Sequence, residues 1–393
     1  MPALDTIGPQ KESDIMVHFS RLLVSVLIIA QAVCVAQVRP PQSAPPLSLN
    51  SLPLARVPAD PLEIVTEAQP VASPQQRLDA ITLIRKAREL SNVRAQPYDL
   101  KTSFVTSGTL NSDGSWMLED LAADKKYRWT AQGPGYSVVN YYPGSSRDIL
   151  YSNQPTGSMP LRLEQVRGAI FFNYEMPGPQ ASIRTANAFL NGVPQRCVLL
   201  VIGAGARTFS GGRNWEEAEY CFDAATGFLT TYSLVPGIFV HYDYSAALSF
   251  HGKTIPNAFT ITEAGRAVVE ARTLSLTDPG DSKGSMFSTA GLTAVGVGRA
   301  MNPPGVMRAL NASPRLYQGT SADPILQIVV LHGNMSPSGN LSEAEVLAST
   351  DASFNKPALD QANQMRQAFG PGQPGVTPQS KEMFYLFQFA TQR

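Results

Sequence analysis

The order of hydrophobic patterns between residues 323 and 390 constrains the fold of this chain more than any other feature. Residues 325–331 are apolar and largely β-branched, which predicts a strand. Residues 336–340 combine serine, proline, glycine and asparagine, which predicts a turn. Residues 341–347 then alternate between apolar and acidic or polar side chains, as a half-buried antiparallel strand does.

A helix is predicted to begin near Asn355, where Pro357 fits the first turn because no N–H donor is needed there. Apolar side chains recur at helical spacing and form one stripe: Ala358, Ala362, Met365 and Phe369. The predicted helix ends at residues 370–371, since Gly-Pro supplies a left-handed cap and then a residue that cannot continue a helix. Residues 383–389 are mostly aromatic and predict the closing strand.

This ββαβ order over residues 313–393 resembles the C-terminal domain of the TonB family of energy transducers. The resemblance implies that a peptide strand of an outer-membrane transporter or another envelope protein docks on the small sheet, coupling energy to transport. The candidate docking edge is the closing strand, with four alternate side chains: Met383, Tyr385, Phe387 and Phe389. Ordinary core packing is the competing explanation for these aromatic side chains.

The composition excludes several classes of partner. The 393 residues carry 31 Lys and Arg against 31 Asp and Glu, so no basic surface for nucleic acid is indicated. Hydrophobic residues make up 43% of the chain, enough for globular cores. The 31 prolines and 30 glycines favour strands, turns and linkers over long helical bundles.

The N-terminal region predicts export. Within residues 1–36 a basic start, an apolar run and a small-residue exit follow one another, with Met16 as a possible first residue, and this pattern is typical of a signal peptide. We therefore expect a periplasmic protein, or one anchored to the inner membrane if the signal is not cleaved. Residues 37–74 are rich in proline and serine and predict an extended linker.

Residues 75–278 predict an antiparallel β domain with few helices. A helix at residues 75–91 precedes a long series of strands and turns, and only residues 159–171 look helical again. This order is similar to that of the periplasmic LolA and LolB lipoprotein carriers, which implies a half-barrel-like sheet that holds an acyl chain. Residues 279–312 are rich in glycine and serine and predict a connector. The predicted fold class is thus α+β.

Two cysteines remain after export, Cys197 and Cys221. In an oxidising compartment two leftover thiols usually pair, so we expect a disulfide. Neither cysteine belongs to a C-x-x-C motif for redox chemistry or zinc.

No catalytic signature is recognisable. Residues 247–254 nearly match a phosphate-binding loop, but Ala247 replaces the first glycine and no helix is predicted to follow. His241, Asp243 and His251 could ligate a metal, although a polar strand face explains them better. We predict no enzyme, no cofactor and no metal. The functions that remain are strand docking by the C-terminal domain and carriage of a lipid or lipoprotein acyl chain by the middle domain. A scaffold or assembly role is the third, if the fold has neither an open sheet edge nor a cavity.

Overall fold

A computed structural model of the chain describes residues 65, 67–109, 112–144, 149–152, 159–171, 174, 176–201, 213, 217–280, 285–297, 310–311, 315–316, 324–364 and 380–392. The predicted signal peptide lies outside these residues, as does most of the predicted linker. None of the helices in the described part combines the length and apolar character needed to cross a membrane.

The described residues form three α-helices: α1 (Pro74–Ser91), α2 (Leu161–Ile170) and α3 (Asn355–Gln364). The Ser73 side chain accepts a hydrogen bond from the backbone N–H of Gln76 and so caps the N-terminus of α1. Pro74 is the first residue of the helix, a position where proline is favoured because no N–H donor is needed. Helices were predicted at all three places. For α3, the predicted stripe residues Met365 and Phe369 lie outside the described residues.

The strands, in chain order, are β1 (Gln69–Pro70), β2 (Tyr98–Thr106), β3 (Gly114–Ala123), β4 (Lys126–Gly133), β5 (Tyr136–Tyr142), β6 (Ile149–Ser152), β7 (Ser182–Leu190), β8 (Val193–Val201), β9 (Ala218–Asp223), β10 (Leu229–Ser233), β11 (Ile238–Asp243), β12 (Leu248–Phe250), β13 (Lys253–Ile255), β14 (Ala258–Glu263), β15 (Arg266–Thr277), β16 (Thr293–Val297), β17 (Leu310–Asn311), β18 (Arg315–Leu316), β19 (Pro324–Met335), β20 (Leu341–Ser349) and β21 (Lys381–Gln392). Short 3-10 helices are formed by Val93–Ala95 and Ala352–Phe354.

Fourteen strands form one antiparallel sheet in the order β1-β7-β8-β9-β10-β11-β14-β15-β2-β3-β4-β5-β6-β16. Tight hairpins set its register; between β7 and β8, for example, Asn191 and Gly192 both adopt positive φ in a two-residue turn. Within the described residues the sheet is not closed, because neither β1 nor β16 has a second neighbouring strand. The predicted α+β class with a mostly antiparallel sheet is confirmed.

One hydrophobic cluster fills the inside of this sheet. It includes Trp116 and Trp129 from β3 and β4, and Val198 and Tyr220 from β8 and β9. Side chains from both halves of the sheet therefore meet in one core, which requires the sheet to curve. Helices α1 and α2 contribute apolar side chains to the same cluster, so they lie inside the curve. Gly133 is required by this packing, since a Cβ there would lie 2.1 Å from the Trp116 indole.

The C-terminal strands form a second sheet in the order β17-β21-β19-β20, with β18 also paired to β21. One face, with Ile328 and Val330, joins the core of the large sheet. The other face, with Leu331, packs with Ala358 and Ala362 of α3. This sheet is therefore buried on both faces, between α3 and the large core.

The predicted domain limits differ from the structure at two places. Residues 69–70, assigned to the linker, form β1 and pair with β7, and Val65 and Ala68 are buried. Residues 279–312, assigned to a connector, contain β16 paired with β6 and β17 paired with β21. Their low apolar content was misleading, because backbone hydrogen bonds can incorporate such a segment into a sheet without a large side chain.

Candidate functional site

A cavity of about 270 Å³ lies where α1 and α2 end, against strands β10, β11, β13, β14 and β15. Its volume is close to the lower limit of small-molecule pockets, which is roughly 300 Å³. Five aliphatic side chains contribute to the wall: Val93, Ala169, Ile170, Leu229 and Ile255. Arg88, Arg94 and Ala95 also line the cavity and are exposed, so it opens to solvent on their side.

Aromatic side chains make up much of the remaining wall: Phe171, Tyr174, Tyr242, Tyr244 and Phe259. Hydrogen bonds hold two of these rings in place. The Tyr242 hydroxyl donates to the carbonyl oxygen of Ala169 at 3.0 Å, and the Tyr174 hydroxyl lies 3.1 Å from Ser91 Oγ. A preformed apolar wall with anchored hydroxyls suits an apolar ligand, because little side-chain freedom is lost on binding.

Burial raises the pKa of the tyrosine hydroxyls in this wall. The shift is upward for Tyr174, Tyr242 and Tyr244, and in each case removal from water is the main cause. These groups therefore remain neutral at physiological pH and introduce no negative charge into the cavity.

The charged residues in the lining are Arg88 and Arg94, both positive. The Arg94 Cζ atom lies 4.9 Å from the centroid of the Phe171 ring, in a cation–π arrangement. The Asn92 side chain accepts from the backbone N–H of Arg94 at 3.2 Å and starts the 3-10 turn after α1. This turn places the Arg94 side chain beside the end of α2.

A second polar cluster lies between α2, the large sheet and the C-terminal sheet. Arg162 of α2 makes a fully buried ion pair with Glu263, and Gln165 Nε2 donates to the same carboxylate at 2.9 Å. His332 Nδ1 lies 3.6 Å from Glu263 and 3.7 Å from Glu345. Both carboxylates come from segments that are distant from His332 in the chain.

Glu263, His332 and Glu345 place three possible metal ligands within 4.8 Å of one another. The surrounding charges do not fit a metal ion, however. Arg162 already binds Glu263, and Arg266 Nη2 donates to both Glu345 oxygens at 2.8 and 2.7 Å. A divalent ion would add positive charge beside two guanidinium groups, so the cluster is better described as an ion-pair network.

The docking residues predicted from the TonB resemblance lie in the interior. Tyr385, Phe387 and Phe389 are buried, and Met383 packs against the same cluster beside α3. The backbone of β21 pairs with β19 on one side and with β17 and β18 on the other. The expectation of an open edge along this strand is therefore corrected, because β17 from the supposed connector and β18 from the predicted C-terminal domain pair with four of its residues.

The structure contains a disulfide between Cys197 and Cys221, which face each other on β8 and β9. It does not bring the weighed metal ligands together: His241 contacts Thr231, whereas His251 contacts Asp278. The near match to a phosphate-binding loop forms the β12–β13 hairpin rather than a loop before a helix.

Sequence reasoning missed the cavity. Its walls come from two helix ends and five strands that are spread along the chain, so no local spacing could reveal it. The usable signal was weak: Tyr242 and Tyr244 alternate with Asp243 on a strand that was interpreted as a polar face.

No known protein family and no curated protein matches this sequence. Among solved structures, the chain is similar to a LolA superfamily protein from Nitrosomonas europaea, with 10% identity, a TM-score of 0.35 and coverage of 53% of this chain and 97% of that one. It is also similar to MucB in complex with MucA(peri), with 12% identity, a TM-score of 0.23 and coverage of 56% and 63%. The first agrees in name with the resemblance inferred for the middle segment, and neither supports the TonB resemblance. At these scores neither structure bears on ligand or partner.

Proposed function

We propose that this protein is a non-enzymatic carrier that holds an apolar ligand, such as an acyl chain, in the cavity at the ends of α1 and α2. One observation carries the proposal: a preformed cavity walled by five aromatic and five aliphatic side chains and open at exposed residues. Small-molecule sites in proteins are typically concave and lined mainly by hydrophobic and aromatic side chains with a few polar groups, as this cavity is.

The disulfide supports an exported carrier. Cys197 and Cys221 are bonded and almost fully buried. Stable disulfides are formed mainly in oxidising compartments such as the bacterial periplasm. A periplasmic location therefore belongs to the same proposal.

Binding of the neutral fluorescent probe N-phenyl-1-naphthylamine tests the carrier function directly. We expect probe fluorescence to rise on addition of the protein, and the Ala95→Trp variant to reduce that rise several-fold by blocking the entrance. Ala290→Trp is the matched control, since Ala290 is also exposed and does not line the cavity. Equal fluorescence from wild type, Ala95→Trp and Ala290→Trp would contradict the proposal.

Native mass spectrometry gives an independent measurement. Protein purified without detergent from an exporting host should carry a lipid-sized mass that Ala95→Trp loses. A wild-type protein that is consistently ligand-free, and that also fails to bind the probe, would exclude a carrier.

Strand docking by the C-terminal sheet receives less support. Among the described residues the outer side of β20 has no neighbouring strand. Two register shifts against β19 and a positive φ at Glu343 interrupt that edge, however. Bulges of this kind protect edges from strand addition, so we give the cavity precedence over peptide docking.

A further inference from the structure

We propose that the ligand of the cavity is an anionic amphiphile, an acyl chain with a negatively charged head group that Arg94 binds at the entrance. This inference rests on the proposed carrier function and adds the chemical class of the ligand.

The charge of the entrance is positive. Arg88 and Arg94 are the charged residues of the lining, and within the described residues no carboxylate lies in ion-pair distance of either. The C-terminal ends of α1 and α2 also meet here, and each contributes a partial negative charge of about half an elementary charge. Two full positive charges outweigh two such halves, so an anion gains at this position and a cation does not.

The position of Arg94 suits head-group binding. Its guanidinium lies over the Phe171 ring, at 4.9 Å, and that ring belongs to the cavity wall. The Arg94 side chain also hydrogen-bonds to the Tyr98 hydroxyl. Because a guanidinium carries five N–H donors, others remain for the two oxygens of a carboxylate or phosphate. A chain in the aromatic cavity would thus have its head group next to Arg94.

Charges behind the entrance do not neutralise Arg94. The carboxylate of Asp120 acts on Arg94 only weakly, less than the positive charge of Arg167 does, and it is fully buried. That carboxylate is already engaged: the Tyr127 hydroxyl donates to it, and Arg167 lies 3.7 Å away. Arg94, Arg167 and Asp120 together keep one net positive charge beside the cavity.

Displacement of N-phenyl-1-naphthylamine by four compounds with the same twelve-carbon chain tests the inference: dodecanoate, dodecyl phosphate, dodecan-1-ol and dodecyltrimethylammonium. We expect both anions to displace the probe at concentrations at least about tenfold lower than the alcohol does, and the cation to be weakest. Comparison of dodecanoate with dodecyl phosphate also shows whether the entrance binds a carboxylate or a phosphate head group more tightly.

The Arg94→Gln variant should weaken dodecanoate roughly tenfold while leaving dodecan-1-ol within about twofold, because only the charged contact is removed. Arg85→Gln is the matched control: Arg85 is exposed on α1 and does not line the cavity, so it should leave both compounds unchanged. If the alcohol binds as tightly as the anions, or the cation binds best, the head-group inference is wrong while the carrier function stands. If the wild-type protein does not bind the probe, both the head-group inference and the carrier function are wrong.

Discussion

Arg162 and Glu263 form an ion pair in which both side chains are completely removed from solvent. The contact is two-pronged, since Arg162 Nη1 and Nη2 each donate to one carboxylate oxygen. It fixes the first turn of α2 to the end of β14, and the last turn of α2 lines the cavity. The position of the cavity wall thus depends on a charge pair at the opposite end of the helix.

Breaking this pair is expected to destabilise the fold strongly. Arg162→Met leaves the Glu263 carboxylate buried without its partner, which typically costs about 3–5 kcal/mol. Urea unfolding followed by circular dichroism measures the loss. Lys356→Gln is the control, because the Lys356–Asp360 pair is exposed and such pairs contribute at most about 1 kcal/mol. A loss for Arg162→Met as small as that of the control would show that α2 is held in another way.

Gly237 is expected to be indispensable for the contact between the two sheets. It has φ +86°, and a Cβ there would lie 2.9 Å from the Ala348 Cβ and from the Leu347 carbonyl oxygen of β20. Gly237→Ala should therefore add steric overlap, about 1–3 kcal/mol, to the strain of a left-handed alanine. Gly192→Ala isolates the strain alone, since Gly192 has φ +81° and nothing within 4 Å of the added Cβ.

Chemical unfolding of the two glycine variants, together with limited proteolysis of the C-terminal region, measures the difference. Gly237→Ala should unfold at lower urea than Gly192→Ala and be cleaved faster near β20. Equal stabilities would mean that β20 shifts freely away from the turn between β10 and β11.

The sequence predicted local secondary structure well but predicted contacts between distant segments poorly. Hydrophobic patterns located α1, β19, β20 and β21, because such patterns lie within one element. The network of Arg162, Glu263 and His332 was invisible, since its members belong to segments separated by 101 and 69 positions. Glu345 shows the same limit: its strand face was expected to meet solvent, but it lies near His332 and binds Arg266.

The disulfide should contribute about 3–4 kcal/mol by the chain-entropy estimate for a loop of 24 residues. The double variant Cys197→Ala, Cys221→Ala removes the covalent link without leaving a free thiol in the core. Its urea midpoint should fall, and dithiothreitol should have no further effect on it. If the variant and the oxidised wild type unfold at the same urea concentration, the link between β8 and β9 adds nothing to stability.

Stability above pH 10 should depend on Tyr136, whose ring packs at 5.7 Å from that of Trp116. Burial is the main cause that raises its pKa from 10.0 to about 12. Between these values the unfolded chain releases the proton while the folded chain keeps it, so rising pH favours unfolding. The stability that the protonated Tyr136 hydroxyl contributes is complete below about pH 10 and is lost as the pH approaches 12. At pH 11 about 1.4 kcal/mol of the unfolding free energy is gone. Tyr136→Phe has no hydroxyl proton to lose. Between pH 9 and pH 11 its unfolding free energy should therefore fall by about 1.4 kcal/mol less than that of the wild type does. An equal fall in both proteins would assign the alkaline loss to the other buried tyrosines.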